Sequence, residues 1–305
     1  MKKKLFIFGL GSLTGSKLAK LAATKYEIIG THNTRIEKNN FFDSIQLNVC
    51  NHQKVKDVLI EKNPDFVVNS AALNNVDYCE KNPILAKEVN HIAVENISKI
   101  CDDVGIKLIQ LSTDSVFDGQ QTLSYVETDK VNPVNVYGQT KHASELHVLK
   151  NSNNLVIRAS VLYGWLCDEL SSQSTSSMKQ FNFGLWLIRA LNKNETIQVI
   201  TDELSSPIVA DDFARSILHL ISKNYSGVFH AAPKVNISRY DFSKKFAKVL
   251  ELNHELIKPI TNKELCRNVK TSLNKCLNSE KLTSTGFNFL NLDDSFKLIK
   301  NQINS

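Results

Sequence analysis

Phe6-Ile7-Phe8-Gly9-Leu10-Gly11-Ser12-Leu13-Thr14-Gly15 carries a short apolar run into a glycine-rich turn, and the helical pattern Ser16-Lys17-Leu18-Ala19 follows at once. A strand, a tight turn and a helix start in that order make a pyrophosphate site. Small residues let the backbone approach the phosphates, and the free amides of the first helical turn meet their charge. Gly9, Ser12 and Gly15 give the spacing Gly-x-x-Ser-x-x-Gly, while Gly9 and Gly11 begin a Gly-x-Gly form whose third position is Thr14. A tight strand-to-helix connection would also account for the turn taken alone. Its place in the first strand–helix unit favours the phosphate reading.

Outward from this turn, the first 160 residues alternate apolar runs with amphipathic ones. Strands are expected at Leu5–Phe8, Glu27–Gly30, Phe66–Asn69, Lys107–Leu111 and Leu155–Arg158. Helices are expected at Leu13–Thr24, Gln53–Lys62, Ile84–Val104 and Gly138–Leu149. Continuous apolar strands separated by helices imply a parallel sheet covered on both faces. Right-handed crossovers then give an α/β, doubly wound Rossmann sheet. After Tyr163-Gly164 the pattern changes: Ser171–Ser177 reads as a polar loop, followed by helices at Phe183–Leu191, Asp211–Ser222, Tyr240–Leu250 and Asp293–Ile303. Short strands are expected at Ile197–Ile200 and Gly227–Ala231, with Ser238 as a helix N-cap and Asp211-Asp212 as a cap rather than a metal site. The expected organisation is a dinucleotide-binding domain over 1–160, completed by approximately 201–232. A smaller C-terminal substrate lobe would comprise 161–200 and 233–305.

Composition narrows the function classes. Of 305 residues, 42% are hydrophobic and 22% charged, ordinary for a globular protein. The net charge of +6 is scattered, with one tight basic run at Lys2-Lys3-Lys4, so no nucleic acid partner is expected. No stretch reaches the roughly 20 apolar residues that span a bilayer, and Leu5–Phe8 is too brief for a signal peptide. Cys50, Cys79, Cys101, Cys167, Cys266 and Cys276 form no Cys-x-x-Cys pair, which suits reduced thiols in a cytoplasmic protein. His32, His142 and His147 read as surface histidines, and no metal is expected.

The second strand ends Gly30-Thr31-His32-Asn33-Thr34-Arg35 without the acidic residue that grips the ribose 2′-hydroxyl of NAD. Arg35, with Thr31 and His32 nearby, suits a 2′-phosphate, so NADPH is the expected cofactor, with NADH possible. Further on, Ser112-Thr113-Asp114 follows a strand, and Tyr137-Gly138-Gln139-Thr140-Lys141 opens a helix. Tyr137 and Lys141, four apart, share a helix face. The ammonium and the helix N-terminus are expected to bring the phenol from near 10 towards neutrality, so that Tyr137 exchanges a proton with a carbonyl. The Thr113 hydroxyl would meet the oxygen where charge develops. A Tyr-x-x-x-Lys pair by itself is common on helix surfaces; here the preceding hydroxyl residue and the glycine turn supply context.

With these segments in place, the chain resembles the extended short-chain dehydrogenase/reductases, and among them the dTDP-4-dehydrorhamnose reductases. The likeness covers nearly the whole chain. It rests on Asn63–Ala72, Val76-Asp77, Val89-Asn90, Leu111–Gly119, Asn132–Lys141, Arg158–Gly164, Asp202–Pro207 and Gly227–Ala232. The resemblance implies Thr113, Tyr137 and Lys141 as the catalytic set, with Lys141 also holding the nicotinamide ribose. It places Ser12, Leu13 and Thr14 under the pyrophosphate, Asn48-Val49 near the adenine, and Ala71, Ala72 and Leu73 along the cofactor. Asn48 replaces the aspartate common there. Thr113, Asp114, Ser115 and Val161 would face substrate; Ser115 stands where the family has tyrosine and Val161 where it has tryptophan. The implied reaction is reduction of the C4 ketone of a nucleotide-linked 4-keto-6-deoxy sugar, most simply dTDP-4-dehydrorhamnose. A homodimer is possible. Two other readings share the fold: a silent NADP-binding regulatory subunit like that of methionine adenosyltransferase, and a nucleotide-sugar epimerase. A dehydratase would want an acidic pair beside Thr113, and only Asp114 is present.

Overall fold

Leu5 and Ile7 point to one face of the first strand and Phe6 and Phe8 to the other, and all four are fully buried. That two-sided burial is what a strand in the middle of a covered parallel sheet requires. A computed structural model describes residues 2–34, 42–166, 182–265 and 269–305. Arg35, Cys167, Cys266 and the serine-rich stretch Ser171–Ser177 lie outside the described residues. The strands are β1 (Lys3–Phe8), β2 (Tyr26–His32), β3 (Asp43–Gln46), β4 (Phe66–Asn69), β5 (Lys107–Thr113), β6 (Leu155–Ala159), β7 (Leu162–Tyr163), β8 (Ile197–Ile200), β9 (Leu204–Ser205), β10 (Ile208–Val209) and β11 (Gly227–Ala231), followed by three short ones.

Seven of them form one sheet in the order β11-β6-β5-β4-β1-β2-β3, with every pairing parallel. The chain runs outward from β1 to β3, then returns to lay β4 against the other side of β1. Ligands of doubly wound sheets bind beyond the strand C-termini at such a reversal. The ends of β1, β2, β4 and β5 therefore converge where the sequence placed its motifs.

One face of the sheet packs on α1 (Leu13–Ala22) and on the helix Ala210–Ser222, through Leu18, Ala22, Phe213 and Ile217. The other face packs on α2 (His52–Lys62) and α5 (Ala93–Asp103), through Val55, Leu59, Ile97 and Ile100. A separate aromatic core, Tyr163, Phe242, Phe246 and Phe296, holds the C-terminal segments together. Before α5 come α3 (Val76–Lys81) and α4 (Pro83–Lys87), and α6 (Val136–Val148) follows it. None of the described helices is long and apolar enough to cross a membrane.

Two departures from expectation have physical causes. The helical run expected over Ile84–Val104 contains a π turn at Glu88–Ile92. This wider turn carries Asn90, fully buried, whose side chain accepts from the Leu73 N–H (2.8 Å) and donates to the Leu73 carbonyl (3.0 Å). Asp211 and Asp212 lie inside the first turn of their helix and do not cap it. Asp211 pairs with Lys17 at 3.2 Å, and Asp212 accepts from the Leu290 N–H at 2.6 Å.

Candidate active site

Gly9 adopts a left-handed φ of +81°, and a Cβ there would stand 3.1 Å from the Ala71 nitrogen. A Cβ on Gly15 would meet the Gly9 carbonyl oxygen at 2.2 Å. Only glycine at both positions lets α1 start against the end of β1. Ser12 caps the helix by accepting from the Gly15 N–H at 2.9 Å. Leu13 and Thr14, whose amides open α1 and have no acceptor within the helix, both line the cleft. The Thr31 carbonyl fixes the turn from the other side by accepting from Gly9 and Leu10 (3.1 and 2.8 Å).

His32 is not a surface residue. It is 6% exposed, with Nδ1 2.6 Å from the Ser44 hydroxyl, while its buried Nε2 has no hydrogen-bond partner and its ring lines the cleft. The covering strand β3 reads Asp43-Ser44-Ile45-Gln46 and gave no apolar run to announce it. Burial lowers the His32 pKa, so the ring is neutral. Asn48 and Val49 follow β3 along the same cleft, and the Asn48 side chain is engaged with the Cys50 N–H at 3.0 Å. Ala71, Ala72 and Leu73 line the opposite wall after β4.

At the end of β5 the Thr113 hydroxyl donates to Asp114 Oδ1 (3.1 Å) and accepts from the Ser115 N–H (3.1 Å). Asp114, 5% exposed, also accepts from Ser115 Oγ (3.2 Å) and Ser160 Oγ (2.9 Å). The helix α6 begins directly over this turn. Asn135 caps it by accepting from the Gly138 N–H at 2.9 Å, and a Cβ on Gly138 would lie 2.1 Å from the Ser115 carbonyl oxygen. Gly138 is thus what lets Tyr137 reach Thr113. Gly138→Ala is expected to force α6 off the turn, lowering stability by about 1–3 kcal/mol. Activity should fall further than that destabilisation accounts for; thermal denaturation and kcat, measured together, check it.

Burial pushes the Tyr137 phenol above its ordinary value of 10; a Thr113 hydrogen bond pulls it down, and the Asp114 and Cys79 charges push it up. The expected fall towards neutrality is therefore reversed. The charges acting on the phenol are negative, and the Lys141 ammonium is turned to the Leu111 carbonyl, to which it donates at 2.6 Å. Lys141 itself is pushed down to about 8 by burial, against an opposing pull from Glu145. A protonated, buried phenol is competent to donate a proton at neutral pH.

These residues enclose a cleft of ≈ 440 Å³. It brings together Gly9, Gly11, Ser12, Leu13 and Thr14 with Thr31, and Thr113, Asp114 and Ser115 with Tyr137, Lys141 and Val161. Gly15 lies beneath the turn rather than on the wall. The far side carries two cations that sequence reasoning missed, Arg239 and Lys275. Arg239 Nε and Lys275 Nζ stand 3.7 and 3.6 Å from the same oxygen of buried Glu203, and the Arg239 guanidinium lies 4.9 Å over the Phe183 ring. Nothing local in the sequence marks them, since only the tertiary fold joins segments so far apart.

The chain matches known proteins in sequence and in fold. The family described as "RmlD substrate binding domain" matches residues 3–299. The probable low-salt glycan biosynthesis reductase Agl14 of Haloferax volcanii is 30% identical over 276 residues, 89% of this chain and 88% of its own. The dTDP-4-dehydrorhamnose reductase of Escherichia coli is 31% identical over 199 residues, 63% of this chain and 62% of its own. Among solved structures, the dTDP-4-dehydrorhamnose reductase of Bacillus anthracis in complex with NADP superposes with a TM-score of 0.86 at 25% identity, covering 99% of this chain and 100% of that one.

Proposed function

Because the chain belongs to the RmlD substrate-binding domain family, we propose that it is an NAD(P)H-dependent oxidoreductase that reduces the C4 ketone of a nucleotide-linked 4-keto-6-deoxy sugar. dTDP-4-dehydrorhamnose, giving dTDP-L-rhamnose, is the leading substrate, supported by the activity for which the relatives are named. The observation that carries the reading is the seating of Gly138 on Ser115, which puts Tyr137 beside Thr113 at the open end of the glycine-turn cleft.

Bound NADPH supplies the hydride; NADH remains an alternative donor. The fit rests on the glycine positions that admit no Cβ, which leave the backbone of the turn open to a phosphate. In this reading Tyr137 donates a proton to the substrate oxygen. Thr113 turns its hydroxyl from Asp114 to the same oxygen, and Lys141 holds the nicotinamide ribose. Gly9, Gly11, Ser12, Leu13, Thr14 and Gly15 take the pyrophosphate. Thr31 and Arg35 take the adenosine ribose and its phosphate, and Asn48, Val49, Ala71, Ala72 and Leu73 flank the cofactor. Asp114, Ser115 and Val161 bound the sugar, and Arg239 and Lys275 face its diphosphate.

Residues 1–160 with approximately 201–232 are read as the cofactor domain, since β11 extends the sheet beside β6. The remaining segments form the substrate lobe. A homodimer in the cytoplasm belongs to the same reading. The test is direct: NADPH is mixed with the protein and dTDP-4-dehydrorhamnose, and the loss of reduced-nicotinamide absorbance is followed. Substrate-dependent oxidation is expected; none with this or related 4-keto sugars would overturn the assignment.

A further inference from the structure

Outside the cleft, on the face where α5 meets α6, three metal-binding side chains converge. They are His91 from the π turn, Glu95 one helical turn further on, and His147 near the end of α6. One ligand atom from each lies within 4.8 Å of the others, and all three residues are half-buried. We propose that His91, Glu95 and His147 form a binding site for a borderline divalent cation, Zn²⁺ being the one to which their chemistry commits.

Two imidazoles and one carboxylate suit zinc better than magnesium or calcium, which take all-oxygen sets. His91 and Glu95 are four residues apart and share a helix face, the arrangement by which one helix offers two ligands. His91 Nε2 is buried without a hydrogen-bond partner in the protein, and an imidazole nitrogen left so has an unmet interaction that a metal would satisfy. The rings of His91 and His147 lie 5.2 Å apart, and His147 Nε2 stands 3.6 Å from Glu95 Oε2, too long for a hydrogen bond.

Ligand atoms around a tetrahedral ion at about 2.0–2.1 Å stand roughly 3.3 Å apart, so a set whose atoms lie within 4.8 Å must close by up to about 1.5 Å. Half-exposed side chains can make that movement by rotation. Glu95 keeps Oε1 on Lys99 at 2.7 Å, an outer contact of the kind that orients a ligating carboxylate. His91 also borders a surface hollow of ≈ 280 Å³ with Lys87, Gln139 and Ala143. The site pins α5 to α6, about 15 Å along α6 from Tyr137. It does not depend on the reductase assignment.

The test uses tag-free full-length protein, stripped with chelator and titrated with Zn²⁺, and with Co²⁺ as a coloured substitute. The wild type is expected to take up one equivalent and to show the visible bands of a low-coordinate Co²⁺ site. His91→Ala and His147→Ala should each weaken binding by about 100-fold or more, since a lost ligand exceeds the 10–100-fold expected for an outer-shell partner. Added zinc should raise the wild-type melting temperature and leave that of both variants unchanged, while all three melt alike without metal. Equal binding by wild type and variants would put the ion elsewhere and overturn the proposal, as would a wild type that takes up no zinc at micromolar concentration.

Discussion

Tyr137→Phe is expected to lower kcat for keto-sugar reduction by about 10²–10⁴-fold, the usual worth of a positioned general acid. KM and NADPH affinity should change little. The substitution removes one oxygen and keeps the ring, so packing against Leu73 and Cys79 survives. The fold makes a second statement about the same step. Tyr137 is raised above 10 by burial and stays protonated across the working range, whereas burial pushes Lys141 down to about 8. If the Lys141 ammonium anchors the cofactor, kcat/KM for the wild type falls as pH rises through about 8, because that profile reports the free enzyme. Stopped assays across pH 6–10 (roughly) check both, and a Tyr137→Phe enzyme with wild-type kcat would remove the phenol from the reaction.

The difference between what the sequence disclosed and what it hid follows the range of the interactions involved. The glycine turn, the strands β1 and β4–β6, and the Tyr137–Lys141 pair are legible because each depends on residues a few positions apart. Period-two burial, a tight turn and the helical i, i+4 spacing leave local traces. β3 left none: its four residues are mostly polar, and it is a strand through its parallel pairing with Ile29–His32 of β2, a contact between segments that its own residues do not announce. Arg239 and Lys275 reach the cleft through Glu203, an association between three separated segments. The direction of the Tyr137 shift was also hidden. Helix spacing told which residues share a face, but burial and the Lys141–Leu111 bond decide where the charge goes.

The largest loss of stability is expected from Glu145→Leu. Glu145 lies one turn beyond Lys141 and makes a two-pronged pair with Arg158 on β6, Nε to Oε1 at 2.9 Å and Nη2 to Oε2 at 2.7 Å, with both side chains under 5% exposed. Burial alone would raise the Glu145 pKa; the Arg158 hydrogen bonds and charge more than offset it and hold it at about 2, against an ordinary 4.5. A depression of that order corresponds to about 3 kcal/mol. Since the folded value lies below the unfolded one, this stability is present above pH 4.5 and is lost as pH falls through about 2. Removing either partner costs about 3–5 kcal/mol, but the two deletions are not equivalent. Arg158→Met leaves a carboxyl that can take up a proton, so its deficit relative to wild type shrinks as the medium is acidified. Glu145→Leu strands a guanidinium that cannot discharge, beside a His230 already held neutral at about 3 by burial and by Arg158 itself. The double variant Glu145→Leu/Arg158→Met should recover most of the loss, because two apolar side chains replace two mutually dependent charges. Urea denaturation of the three variants between pH 4 and 8 (roughly) measures this, and a double variant no more stable than Glu145→Leu would show that the pair is not the source of the effect. Activity provides a separate signature. Glu145 supports the charged form of Lys141, so Glu145→Leu should shift the alkaline fall of kcat/KM below pH 8, a change that destabilisation alone does not produce.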